Sequence, residues 1–180
     1  MEENEFALVD VLNLVRSNKT LATLIIKNAL GKEITEDDIN YEYVDIGNRK
    51  QKMIVMNDEL IDIVTIVETG PIKITVGNGI KLQDDAKLEN YSKYHQIAFY
   101  RCLDEEDDKN FFPQKYMDYK TPKIAYIFNP NAMIELDSEQ MTFDKDFLLF
   151  NKILLASSYE EIDEIIDESE VLKKIFKNEK

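Results

Sequence analysis

Apolar positions along the chain follow two spacings, and the changes from one to the other mark out its elements. After a frayed acidic start over residues 1–5, Phe6 to Val15 (FALVDVLNLV) is an apolar stretch of helical character. Ser17 or Asn18 can cap a second helix from about Thr20 to Leu30, and Gly31 supplies its stop signal. Thr35-Glu36-Asp37-Asp38 reads as a polar turn, and Tyr41, Tyr43, Val44 and Ile46 open a β-rich region. Three further runs follow it, Lys52 to Met56, Ile61 to Val67 and Ile72 to Val76. In the middle one Ile61, Ile63 and Thr65 alternate with Asp62, Val64 and Ile66, so both faces are largely apolar, as an interior strand requires. Glu68-Thr69-Gly70-Pro71 is short enough for a hairpin and Asn78-Gly79 is a second turn signal, so the region predicts a meander.

From about Asp84 the spacing becomes helical, with Leu88, Tyr91, His95, Ala98, Phe99 and Cys102 on one face. That pattern ends in Asp104-Glu105-Glu106-Asp107-Asp108. A polar loop with Phe111, Phe112 and Pro113 leads to Pro122 and a compact strand, Lys123 to Phe128, which returns to the sheet before Asn129-Pro130. Two helices are predicted at the end, from about Asp144 to Leu155 and from about Tyr159 to Phe176. Ser158 and Glu161 suit a capping box, and Ile162, Ile165, Ile166, Leu172, Ile175 and Phe176 form an apolar core stripe. No repeat, low-complexity tract or Ser/Gly/Pro linker interrupts the order. The pattern thus predicts one mixed α/β domain over residues 1–180. Its central mixed sheet is a meander plus a returning strand, helices flank it, and residues 144–180 form a helical C-terminal part.

Composition narrows what such a domain can do. Of 180 residues 44% are apolar, enough for a sizeable core, and 36 acidic against 22 basic residues give a net charge of -14. Only Arg16, Arg49 and Arg101 are arginines, so the side chain best suited to bidentate phosphate recognition is scarce, and direct nucleic-acid binding is a poor default. No run approaches the roughly 18 apolar residues of a membrane span, and MEENEF lacks the basic and then apolar character of a secretory signal. The lone Cys102 forms no internal disulfide and suits a reducing compartment. A cytoplasmic protein without membrane association or small-molecule cofactor is expected.

Several of these words, in this order, resemble the Rpn-type recombination-promoting nucleases, also called PD-(D/E)XK nuclease family transposases. Asn18 through Asp38 (NKTLATLIIKNALGKEITEDD) is similar to their opening, Asp62-Ile63-Val64 to their Asp-bearing strand and Lys73-Ile74-Thr75-Val76-Gly77 to their acidic strand. Tyr91 to Arg101 resembles their aromatic-rich helix, Ile124 to Phe128 the following strand, and Ala156 through Lys174 their acidic terminal helices. The resemblance implies a PD-(D/E)XK-like core. It also implies a metal site in which one strand gives an Asp and the next gives an acid followed two positions later by Lys or Gln. Strand alternation puts those last two on one face, where a Mg2+ between the carboxylates can polarise a phosphate. Asp62 fits the first position, but Thr75 falls where the acid belongs and Gly77 where the Lys or Gln belongs, and neither replaces the lost group. Ala7, Asp10 and Val11 fall where the family's N-terminal helix carries an Asp and a Phe-Lys pair. A retained fold with a lost active site is therefore expected, with no catalytic residues and no metal. The escape is a displaced site in which Asp62 and Asp85 hold Mg2+ beside Lys87; Asp85-Ala86-Lys87, however, reads as the first turn of a helix.

The remaining chemistry is sparse. His95, the only histidine, has no diagnostic partners, although Ser92 and Asp118 can be imagined as a triad, and it reads as a helix-face or surface residue. Cys102 reads as core, Gly77-Asn78-Gly79 as a hairpin turn, and Tyr91, Tyr94, Phe99 and Tyr100 as packing. The acidic run Asp104, Glu105, Glu106, Asp107 and Asp108 lacks the spacers of a calcium loop. Together with Glu160, Glu161, Asp163, Glu164, Asp167 and Glu168 it offers a carboxylate array able to mimic DNA in a groove built for phosphates. The expected function is non-catalytic inhibition of a nucleic-acid-handling enzyme or ribonucleoprotein, of anti-restriction or anti-CRISPR type with a Cas9-like effector as one target, encoded by a phage or mobile element. The competing expectation is an active Mg-dependent DNA endonuclease of the recombination-promoting type.

Overall fold

A computed structural model describes residues 14–15, 17–46, 49–69, 72–76, 91–102, 114–118, 123–130 and 143–177. Helix α1 (Lys19–Leu30) starts where Asn18 Oδ1 accepts the Leu21 N–H at 2.9 Å. It stops at Gly31, whose φ of 66° lets its N–H reach the Lys27 carbonyl at 2.9 Å. The expected polar turn is a 3-10 turn over Glu36–Asp38, with Thr35 and Asp38 forming a reciprocal cap. Strands β1 (Asn40–Ile46), β2 (Arg49–Met56), β3 (Glu59–Thr69) and β4 (Ile72–Val76) then run as the predicted antiparallel meander. Between β2 and β3 the loop is two residues, Asn57 and Asp58, both at positive φ (49° and 65°), the backbone of a hairpin turn whose twist matches its strands.

The sheet is completed by β5 (Lys93–Cys102), β6 (Gln114–Asp118) and β7 (Lys123–Phe128), in the order β1-β2-β3-β5-β7-β6. Strands β3, β5 and β7 are mutually parallel, and β6 returns antiparallel to β7. On the edge of β3 away from β5 two strands share one flank: β2 pairs with Glu59–Ile61 and β4 with Thr65–Thr69.

Two departures from the sequence expectation concern this second half. The helix expected from about Asp84 to Cys102 is, over its described residues, strand β5, and this also departs from the helix that the family resemblance implies for Tyr91 to Arg101. The physical reason is its place between two parallel neighbours. Such a strand is buried on both faces and shows no alternation, so Tyr91, His95, Ala98, Phe99 and Cys102 fall at helical spacing within an almost continuous apolar run. Part of the expected polar loop before Pro122 is the edge strand β6.

The C-terminal part is helical, as expected: α2 (Lys145–Leu155), α3 (Tyr159–Asp167) and α4 (Glu170–Phe176). The single helix expected over Tyr159 to Phe176 is broken, because Ser169 leaves helical geometry and caps α4 by accepting the Leu172 N–H at 3.1 Å. The Ser158–Glu161 capping box is half formed. Ser158 Oγ accepts the Glu161 N–H at 3.2 Å, but the Glu161 carboxylate reaches past Ser158 to the N–H and hydroxyl of Ser157, both at 3.0 Å.

One sheet face carries the described helices. Ile54, Met56, Ile61, Ile63, Ile97, Phe99, Tyr126 and Phe128 pack in one core with Leu21, Ile25 and Ile26 of α1 and Phe147 and Phe150 of α2. The expected stripe holds, with Ile165, Ile166, Leu172 and Ile175 buried in this core and Ile162 and Phe176 against it. Each fully buried side chain of this kind contributes about 1.5–3 kcal/mol. On the opposite face the apolar residues form two smaller groups, Val44, Met53, Val55, Leu60 and Tyr94, and Val64, Ile66, Ala98, Tyr100 and Cys102. No helix among the described residues is long and apolar enough to cross a membrane.

Candidate functional site

An acid inside an apolar strand must find a partner, because an uncompensated buried charge is costly. Strand β3 carries three such carboxylates, and each meets a ring of β5. Asp62 is 3% exposed, and the Tyr94 hydroxyl donates to its Oδ2 at 3.2 Å. Glu59 Oε1 lies 3.1 Å from His95 Nε2, and the Tyr100 hydroxyl donates to Glu68 Oε2 at 2.5 Å. In the parallel register Asp62 stands opposite Gln96, Glu59 opposite Lys93 and Glu68 opposite Cys102, so each acid pairs two residues away from its direct neighbour. Burial, then the Asp62 charge, pushes the Tyr94 hydroxyl far above the ordinary tyrosine range, and burial followed by the Glu68 hydrogen bond does the same to Tyr100. Both hydroxyls therefore stay protonated and act as fixed donors.

Asp62, the one residue expected at a nuclease site that is described, sits on the face away from the described helices. Leu60 and Val64 flank it on the strand, each packed within one of the small apolar groups. Thr75 pairs with Ile66, four residues along β3 from Asp62 or roughly 13 Å. Gly77, Asp85 and Lys87 lie outside the described residues. Among the described residues no three His, Cys, Asp or Glu side chains gather to hold a metal ion. What Asp62 does within the described structure is accept a hydrogen bond that ties β3 to β5.

His95 overturns its expected reading as a helix-face or surface residue. It lies on β5, 2% exposed, paired with Glu59 and stacked on Tyr126 with ring centroids 6.1 Å apart. Burial lowers its pKa below the ordinary histidine value, and the hydrogen bond and charge of Glu59 only partly oppose this. Lys93 Nζ, on the half-exposed rim, is 3.8 Å from the same Glu59 oxygen. Of the imagined triad, Ser92 instead binds the Asp58 carbonyl through its N–H at 2.9 Å, and Asp118 belongs to the edge strand β6, opposite Lys123. Cys102, Phe99, Tyr94 and Tyr100 are buried, as their packing role requires. Glu59 and Glu68 were open to sequence reasoning. The signal was a carboxylate near either end of the apolar run that holds Asp62; the rings they meet gave none, because the stretch carrying them read as helix.

The second candidate surface is α3. Its sequence YEEIDEIID turns Ile165 and Ile166 to the core and leaves Glu160, Glu161, Asp163 and Glu164 exposed, with Asp167 and Glu168 continuing the acidic face. Asp167 is neutralised by Lys177 at 2.8 Å, whose hydrogen bond and charge hold its carboxyl below the usual range. Glu160, Asp163, Glu164 and Glu168 have no ion-pair partner among the described residues. Beside this face Lys152 and Leu155 of α2 join Glu161, Glu164, Ile165 and Glu168 around an open cavity of about 650 Å³. The other expected acidic array, Asp104 to Asp108, lies outside the described residues. Such a surface presents negative charge to solvent.

Compared with family models, with curated proteins and with solved structures, the chain matches none.

Proposed function

We propose that this chain is a non-catalytic acidic protein that inhibits a nucleic-acid-handling enzyme by occupying its DNA- or RNA-binding surface, on a degenerate scaffold of the PD-(D/E)XK type. The observation that carries the reading is the exposed, largely unpaired carboxylate face of α3 in a chain of net charge -14. Carboxylates on successive turns of a rigid helix meet a row of Lys and Arg side chains much as phosphates do, and a field of one sign speeds encounter with a basic cleft. The target class proposed is a guide-RNA-loaded Cas9-like effector or a restriction nuclease, whose nucleic-acid channels are basic.

The test is competition. Purified effectors of both kinds are titrated with this protein, and target-DNA binding is measured from about 50 to about 300 mM salt. Inhibition that weakens as salt rises, and that falls at least about tenfold when Glu160, Asp163 and Glu164 are all changed to Lys, is the expected result. Absence of binding to every effector, or undiminished binding by the triple variant, would overturn it. Magnesium-dependent plasmid nicking that disappears in Asp62→Ala would establish the nuclease reading in its place.

A further inference from the structure

Among the described residues, the Glu59–His95 pair is a buried titratable couple for which the acidic-surface reading has no use. Glu59 Oε1 accepts from His95 Nε2 at 3.1 Å, so in the neutral ring the proton sits on Nε2 and Nδ1 carries the lone pair. That Nδ1 is buried and meets no hydrogen-bonding partner among the described residues. The charged and titratable groups around the ring come from four segments. They are Glu59 on β3, Lys93 on β5 beside it, Tyr126 on β7 stacked against the ring, and Lys32 just beyond α1, whose charge reaches it.

We propose that this pair is an acid-sensitive latch between β3 and β5, closed while His95 is neutral and released when the ring takes a second proton. Protonation converts Nδ1 from an unmatched acceptor into a charged N–H with no acceptor, which is the costlier state to bury. Protonation turns the Nε2–Glu59 contact into an ion pair, but Glu59 reaches only Nε2 and leaves the new Nδ1 N–H unmatched, while Lys93 Nζ lies 3.8 Å from the same Oε1. Lys93 and Lys32 both add like charge. The chain's overall -14 acts the other way, but across distances that salt screens. The relief open to the charged ring is to leave its slot for water, parting the ends of β3 and β5 where Glu59 and His95 sit.

The sign follows from linkage. A histidine harder to protonate in the folded chain than in the unfolded one contributes stability that is present above the ordinary histidine range and lost as pH falls through its folded midpoint. The chain's one histidine gives a single pair of ring C–H signals by NMR, from Cε1 and Cδ2, so neither needs to be told apart from another histidine. Its midpoint should lie below the free value of about 6.5, and amide exchange in residues 59–63 and 93–97 should accelerate as it titrates. The folded-to-unfolded ratio of the wild-type chain should fall between about pH 7.5 and about pH 5.5, by up to tenfold for each unit of displacement, while His95→Gln stays flat there. Glu59→Gln should drive the ring's midpoint lower still. A midpoint at or above the free value, exchange at these sites that ignores the titration, or equal pH slopes for wild type and His95→Gln would overturn the latch. If His95→Gln does not fold, the wild-type titration and its exchange profile decide alone.

Discussion

Tyr94 and Asp62 show at single-residue scale how a buried carboxylate is accommodated: one hydroxyl, kept protonated by its surroundings, donates across a strand boundary at 3.2 Å. Removing that hydroxyl while keeping the ring leaves the carboxylate with one donor fewer in an apolar setting. Tyr94→Phe should therefore cost about 1.5–3 kcal/mol, read as a lower denaturant midpoint with an unchanged slope. A loss within error of zero would mean that Asp62 is held adequately by its other contacts. Asp62 was legible in the sequence as an acid in an apolar strand. Its partner was not, because Tyr94 is 32 residues away and the stretch containing it read as helix.

At the scale of elements, local chemistry was legible wherever it decided the structure. Asn18 and Gly31 bound α1 because a side-chain oxygen and a left-handed φ satisfy its orphan groups, and both signals are visible in the chain itself. The α3–α4 break was not legible, since Ile162, Ile165, Ile166, Leu172 and Ile175 keep an unbroken apolar stripe across it. Ser169 marks the break twice over: its hydroxyl accepts the Leu172 N–H and donates to Asp146 of α2 at 2.6 Å. Ser169→Ala removes a cap and strands a carboxylate, so it should cost about 1–2 kcal/mol, measurable as a lower thermal or urea midpoint. An unchanged midpoint would show that the stripe alone holds the two helices in place. Strand β5 was missed for a different reason. Its partners β3 and β7 are distant in sequence, and burial on both faces erases the alternation that identifies half-exposed strands.

For the whole molecule, a net charge of -14 has a cost apart from any partner, because like charges brought together by folding repel. Raising salt from about 20 to about 300 mM should therefore stabilise the fold against urea, by on the order of 1 kcal/mol. Destabilisation by salt would instead mean that ion pairs such as Lys27–Asp144 and Lys174–Glu36 outweigh the repulsion. The mixed α/β class and the helical C-terminal part followed from patterning. The location of the acidic face followed as well, because α3's period fixes which residues point outward.

The flank of β3 that β2 and β4 divide between them has a consequence for the order of assembly. Its antiparallel partners on that flank are each joined to it by a short connection, so they pair at little loop-closure cost. Its parallel partner β5 must be brought back across about thirty residues of chain. Strand β3 thus joins a local meander on one flank to a strand distant in sequence on the other. The three acid–ring pairs make that distant pairing selective in register, since a slip of one residue would turn every ring on β5 to the wrong face of the sheet.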